Sequence, residues 1–245
     1  MNIFWSFVLS SIAGFSTMLG CLGIFIPVKK KDEFITFSLS LSLSVMLMIS
    51  IFDLIPSSLP KLGNNILLSL TYFIIFFLLG IILTNALNKY IEKQKKSSNL
   101  YKLGILNFIA LVMHNLPEGI VTFMSTYQDF NLGLSLCMAI ALHNIPEGIS
   151  IAVPIYYATG NVKEAIKCTF LSALAEPLGA LLAFLIFKNF ITESMISMFL
   201  ILVAGIMITL SVNKMLPEAL EYKKTKPLYL GFILGIIMVV LSLII

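Results

Sequence analysis

The chain alternates between long apolar blocks and short polar interruptions, and each block is several times longer than a strand. Eight such blocks run over approximately 3–27, 34–57, 66–88, 102–127, 131–158, 163–187, 195–220 and 228–245. A hydrocarbon core about 30 Å thick takes roughly 20 helical residues to cross, and lipid does not tolerate exposed irregular backbone. Each block is therefore predicted to be a membrane-spanning helix. The first block lacks a basic leading region and is too long for the hydrophobic part of a signal peptide, so it is expected to be a retained span. The interruptions are short, which predicts one all-α membrane bundle over residues 1–245 with no soluble domain.

Against this background two polar patches stand out. Residues 114–119 read HNLPEG and residues 143–148 read HNIPEG, and between them they hold both histidines of the chain. A third buried-looking acid, Glu176, lies in SALAEPLGALLA of the sixth block. Insertion scales charge roughly 2.5–3.5 kcal/mol for an acidic residue at the middle of a membrane helix. Three of them need compensation, and no arginine is present to supply it.

Composition agrees with the pattern: 59% of residues are hydrophobic, 11% are charged, and the mean hydropathy is +1.01. All 16 basic residues are lysines. Thirteen fall on one side: Lys29, Lys30 and Lys31; Lys89, Lys93, Lys95, Lys96 and Lys102; Lys163 and Lys167; and Lys223, Lys224 and Lys226. Only Lys61 and Lys188 fall on the other. The excess marks the cytoplasmic face and puts both termini outside a cell membrane. The net charge of +4 thus reports topology, and without a single basic patch a nucleic-acid partner is not expected. Cys21, Cys137 and Cys168 sit in apolar surroundings with no paired spacing, and are read as free, packed thiols.

Two internal repeats are visible. The HN-x-PEG pair matches at five of six positions with an offset of 29. SVMLMISIFDLIPSSL (44–59) aligns with GIMITLSVNKMLPEAL (205–220), keeping Met46 with Met207, Ser50 with Ser211 and Pro56 with Pro217. In each pair the two helices run in opposite directions across the membrane. That is the pattern of an inverted-topology repeat, which places a substrate site near the midplane.

The motif chemistry points to a cation. At about 100° per residue His114 and Glu118 lie about 40° apart, with Asn115 about 100° from His114. Glu118 can therefore share one ion with the histidine and another with the asparagine, and His143, Asn144 and Glu147 repeat the set. Pro117 and Pro146 free the carbonyls of Met113 and Leu142 and are expected to kink their helices. Gly119 and Gly148 permit close helix approach. A single intramembrane H-x-x-x-E is often just a hydrogen-bonded pair, but duplication together with Glu176 argues for a metal site. Imidazole, amide and carboxylate without thiolate suit zinc, ferrous iron, manganese or cobalt. The E-x-x-H of di-iron bundles and the HExxH of metalloproteases are both absent. A metal-dependent membrane hydrolase and a proton-coupled cation antiporter remain as alternatives at this point.

With HNLPEG, HNIPEG and AEPLGA on spans 4, 5 and 6, the chain resembles the ZIP (Zrt/Irt-like) divalent metal transporters, in their bacterial ZupT or GufA-like branch. The resemblance covers all eight spans. It implies a 3+2+3 inverted repeat around spans 4 and 5 and a transporter rather than an enzyme. The implied cargo is Zn2+, and often Fe2+, Mn2+, Co2+ or Cd2+, moved into the cytoplasm as substrate and not held as a cofactor. By motif, one metal position would be held by His114, Glu118, His143 and Glu147, with Met46 nearby. A second would be held by Asn115, Glu118, Asn144, Glu147 and Glu176, and Asp53 would lie near the outer mouth. The expected partners are the metal ions and the lipid bilayer, with a homodimer as an allowed assembly.

Three departures from the family pattern affect the expectation, the first being that the frequent LIPEA of span 2 appears as LIPSS, which removes one acid near the outer mouth. The loop NKYIEKQKKSSNLYK has none of the histidines many relatives carry there, and an acidic pair common in span 7 is replaced by Asn213 and Lys214. A lysine near a cation path would raise an electrostatic barrier, so either Lys214 turns toward the cytoplasmic interface beside Glu218, one turn on, or conduction is slow.

Overall fold

The computed structural model describes residues 2–63, 65–93, 97–190 and 192–244. Lys95 and Lys96, and the side chain of Lys188, which entered the lysine count, lie outside the described set. Among the described residues there is no strand, and eight helices are long and apolar enough to cross a membrane. They are span 1 (Ile3–Phe25), span 2 (Lys31–Lys61), span 3 (Ile66–Glu92), span 4 (Asn99–Gln128), span 5 (Phe130–Thr159), span 6 (Val162–Leu185), span 7 (Glu193–Glu221) and span 8 (Thr225–Ile244). The sequence blocks match these in number and order, with ends that differ by a few residues.

Capping chemistry sets several starts. Asn65, Ser98, Asp129, Asn161 and Thr192 each accept a hydrogen bond from a backbone N–H in the first turn of the helix that follows, satisfying donors otherwise left without a partner. Span 5 ends at Gly160, whose φ of 69° closes the helix in a left-handed conformation that side chains disfavour.

Spans 4 and 5 pack against each other at the centre. Spans 1 and 6 flank them closely, and spans 2 and 7 close the remaining sides. Span 2 lies along span 8, and span 3 along span 7. Spans 3 and 8 leave most of their apolar side chains exposed, among them Ile74, Ile75, Ile82, Ile233 and Ile237, as a lipid-facing surface requires. A large apolar cluster of the interior includes Leu39, Met46, Leu111, Ile151, Ile206 and Met207, all buried, with smaller clusters around Phe123 and Leu9.

Small residues draw the helices together. Gly80 of span 3 and Gly205 of span 7 face each other's backbones, and Gly231 and Gly235 of span 8 lie on the backbone of span 2. Hydroxyls add polar stitches at these seams: Ser40 donates to the Leu228 carbonyl and Ser44 to the Phe232 carbonyl at 2.8 Å. Without a hydrophobic drive between helices in lipid, close backbone packing and such bonds supply the attraction.

Four spans depart from regular α geometry. Span 1 tightens to a 3₁₀ helix over Thr17–Phe25, and span 6 breaks between Ala173 and Ala175 just before Glu176. Spans 2 and 7 each contain a π-helical turn, at Ser50–Leu54 and Ser211–Met215. These two turns occupy matching places in the aligned 44–59 and 205–220 segments. Spans 4 and 5 remain α-helical on both sides of Pro117 and Pro146.

Candidate metal centre

Spans 4 and 5 cross so that the two HN-x-PEG segments face one another. His114 Nε2 lies 3.2 Å from Glu118 Oε1 on its own helix and 3.4 Å from Glu147 Oε1 across the interface. His143 Nε2 lies 3.2 Å from Glu118 Oε1, and the two imidazole centres are 6.5 Å apart. Potential ligand atoms of His114, Glu118 and His143 all fall within 4.8 Å of one another, a spacing that one cation can span.

The amides are anchored from the flanking helices. Asn144 Nδ2 donates to the Ala13 carbonyl of span 1 at 2.9 Å and to Glu176 Oε1 of span 6 at 2.5 Å. Asn115 Nδ2 donates to the Ser172 carbonyl of span 6 at 3.3 Å. Each NH2 is thus used for positioning, and each side-chain oxygen is left as an acceptor.

The glycines explain how the flanking helices come so close. A Cβ on Gly119 would collide with the Glu176 carbonyl, and one on Gly148 with the Thr17 carbonyl. Gly179 and Gly20 complete the two contacts from the other side. Span 6 therefore meets span 4, and span 1 meets span 5, in the same manner. Glu176 stands at one contact and Thr17 at the other.

Every residue of the set is buried, and the partnerless atoms are concentrated here. His114 Nδ1 and Nε2, Asn115 Oδ1, Glu118 Oε2, Asn144 Oδ1, both Glu147 oxygens and Glu176 Oε2 have no hydrogen-bond partner. The His114 and Glu147 atoms are close but poorly aligned for a hydrogen bond. A buried polar atom without a partner costs about 1–3 kcal/mol, and more when charged. So dense a collection of imidazole nitrogens, amide oxygens and carboxylates fits a divalent cation as the shared partner.

The sequence-derived site residues on spans 4, 5 and 6 (His114, Asn115, Glu118, His143, Asn144, Glu147 and Glu176) come together in this one constellation. Asp53, in the π-helical turn of span 2, is half-buried and within charge–charge range of His143 and Glu118. Met46 is fully buried in the apolar cluster, seven residues or about two turns before it. Lys214 does not pair with Glu218. Its Nζ reaches Glu92 Oε1 of span 3 at 2.8 Å, because the π-helical turn rotates it out of the helix's i, i+4 register.

Ala13, Ser172 and Ser42 also hold the site in place, although no motif marks them. The first two act only through backbone carbonyls, which no motif records. Ser42 donates to the Pro146 carbonyl inside the second motif at 2.5 Å. The alternating SLSLSLS of span 2 was the available signal.

A family model describing the ZIP zinc transporter matches residues 92–243. The chain belongs to the ZIP zinc transporter family. Similar curated proteins include a zinc transporter ZupT from Oceanobacillus iheyensis, 38% identical over 99% of this chain and 98% of the relative. Others with the same name come from Lysinibacillus sphaericus, at 37% over 99% and 98%, and Streptococcus mutans, at 35% over 99% and 97%. As a ZIP protein the chain is a multi-pass membrane transporter of divalent metal and not an enzyme, which removes the hydrolase alternative.

Proposed function

We propose that this chain moves zinc into the cytoplasm through the constellation between spans 4 and 5. The observation that carries the reading is the concentration of buried, partnerless donor atoms on those helices. Zinc comes first because the similar curated proteins are named for it. Fe2+, Mn2+, Co2+ and Cd2+ are further cargoes that the same donor set accepts.

Two adjacent positions account for the ligands. His114, Glu118, His143 and Glu147 hold the first, with Met46 alongside. Asn115, Glu118, Asn144, Glu147 and Glu176 hold the second, with both motif glutamates bridging. Asp53 draws cations toward the outer mouth. The lysine-rich face is cytoplasmic and both termini lie outside.

An inverted 3+2+3 repeat is supported by the paired π-helical turns, by the matching contacts of span 2 with span 8 and span 7 with span 3, and by the matched glycine contacts of spans 1 and 6. Residues 1–245 act as one transport domain, with access to the site alternating as the repeats move.

The test is flux into liposomes loaded with a metal-sensitive dye, with zinc, iron and manganese added separately. The expected result is metal-dependent influx that falls at least about 10-fold in Glu118→Ala and in Glu147→Ala. No metal-dependent flux, or full flux in both variants, overturns the reading and the assay otherwise ranks the metals.

A further inference from the structure

On the lysine-rich side of the bundle a cavity of about 250 Å³ opens between spans 3, 4 and 7. Its lining includes Glu92 of span 3, Leu103 and Leu106 of span 4, and Asn213, Lys214 and Glu218 of span 7. Leu106 lies eight residues before His114, about 12 Å along the helix toward this side. Between the two, on nearly the same face as His114, is Asn107. It is fully buried, its Nδ2 donates to the Ser150 carbonyl at 2.8 Å, and its Oδ1 has no partner. Along the axis of span 4 this partnerless oxygen lies between the metal centre and the cavity.

Lys214 puts a positive charge on the wall of the cavity, and Glu92 restrains it. Glu92 Oε1 accepts from Lys214 Nζ at 2.8 Å and from Asn88 Nδ2 at 2.9 Å, while Lys102 Nζ reaches the Glu92 carbonyl at 3.4 Å. Glu92 is 54% exposed, so this pair adds little to fold stability. Its consequence is local: the ammonium is drawn toward span 3 and its charge is offset, leaving Glu218 and Asn213 on the span 7 wall.

We propose that the cavity is the cytoplasmic exit vestibule and that Lys214, parked on Glu92, is the residue that sets how readily the cation leaves. This rests on the import reading above. An ammonium released from Glu92 stands in the vestibule and repels the outgoing ion, so the ion pair keeps the exit open.

The test compares zinc influx into liposomes for the wild type, Glu92→Gln, Lys214→Gln and the double variant. Zinc bound at the metal centre is measured for each by equilibrium dialysis. Glu92→Gln keeps an oxygen for Asn88 and is expected to slow influx by about fivefold with zinc binding unchanged. Lys214→Gln is expected to match or exceed the wild type, and the double variant to follow Lys214→Gln. Wild-type flux in Glu92→Gln, or equally slow flux in Glu92→Gln and the double variant, overturns the proposal. Absence of flux in the wild type would overturn the import reading instead.

Discussion

Glu176 is the residue whose role is most separable by substitution. Its Oε1 accepts from Asn144 while Oε2 has no partner, so Glu176→Gln keeps the acceptor and removes the charge. The fold should tolerate the change, and bound zinc should fall by about one ion per chain in dialysis, since an amide is a poorer ligand than a carboxylate. Unchanged stoichiometry would place Glu176 outside the ligand set. Gly148→Val has the opposite profile, because its side chain would press on the Thr17 carbonyl. It should lower thermal stability in detergent by the equivalent of about 1–3 kcal/mol, whether or not metal is added. At this scale the candidate ligands were legible because polar residues are rare and conspicuous in lipid-soluble helices. The Ala13 and Ser172 carbonyls that hold the amides were not, since every residue has a carbonyl and only folding selects which ones serve.

At the scale of elements, the seam between spans 2 and 8 is built from Gly231, Gly235, Ser40 and Ser44. A Cβ on Gly235 would come within 2.8 Å of the Leu41 carbonyl, so Gly235→Leu should force the helices apart. The expected result is a drop in thermal stability of about 1–3 kcal/mol, against about 0.6 kcal/mol for Ser44→Ala, which removes one interhelical hydrogen bond. Equal melting of the two variants would show that the seam is not set by close backbone packing. Eight helices followed from hydropathy alone, with ends good to a few residues. The π-helical turns, the 3₁₀ segment of span 1 and the break in span 6 did not, because each depends on what the neighbouring helix demands of the backbone. The displacement of Lys214 from Glu218 to Glu92 is the clearest case: helical spacing favoured the first, and the π-helical turn delivered the second.

For the molecule as a whole, metal binding requires neutral imidazoles and ionised carboxylates, so protons compete with the cargo. An ordinary histidine titrates near pH 6.5, and zinc influx should weaken below about pH 6. Influx that instead rose steadily toward pH 5 would indicate proton coupling, the remaining alternative to simple metal uptake. The sequence by itself determined the class of the protein, the number of spans, the lysine-marked face and the polar residues that make up the candidate metal centre. These follow from composition and local spacing, which lipid constrains severely. Only the tertiary structure decided which atoms of those residues stay free and how closely spans 1 and 6 press on the site. It also decided that Lys214 turns to Glu92 across a cavity. Those are matters of distance between helices far apart in the chain, and no local pattern encodes them.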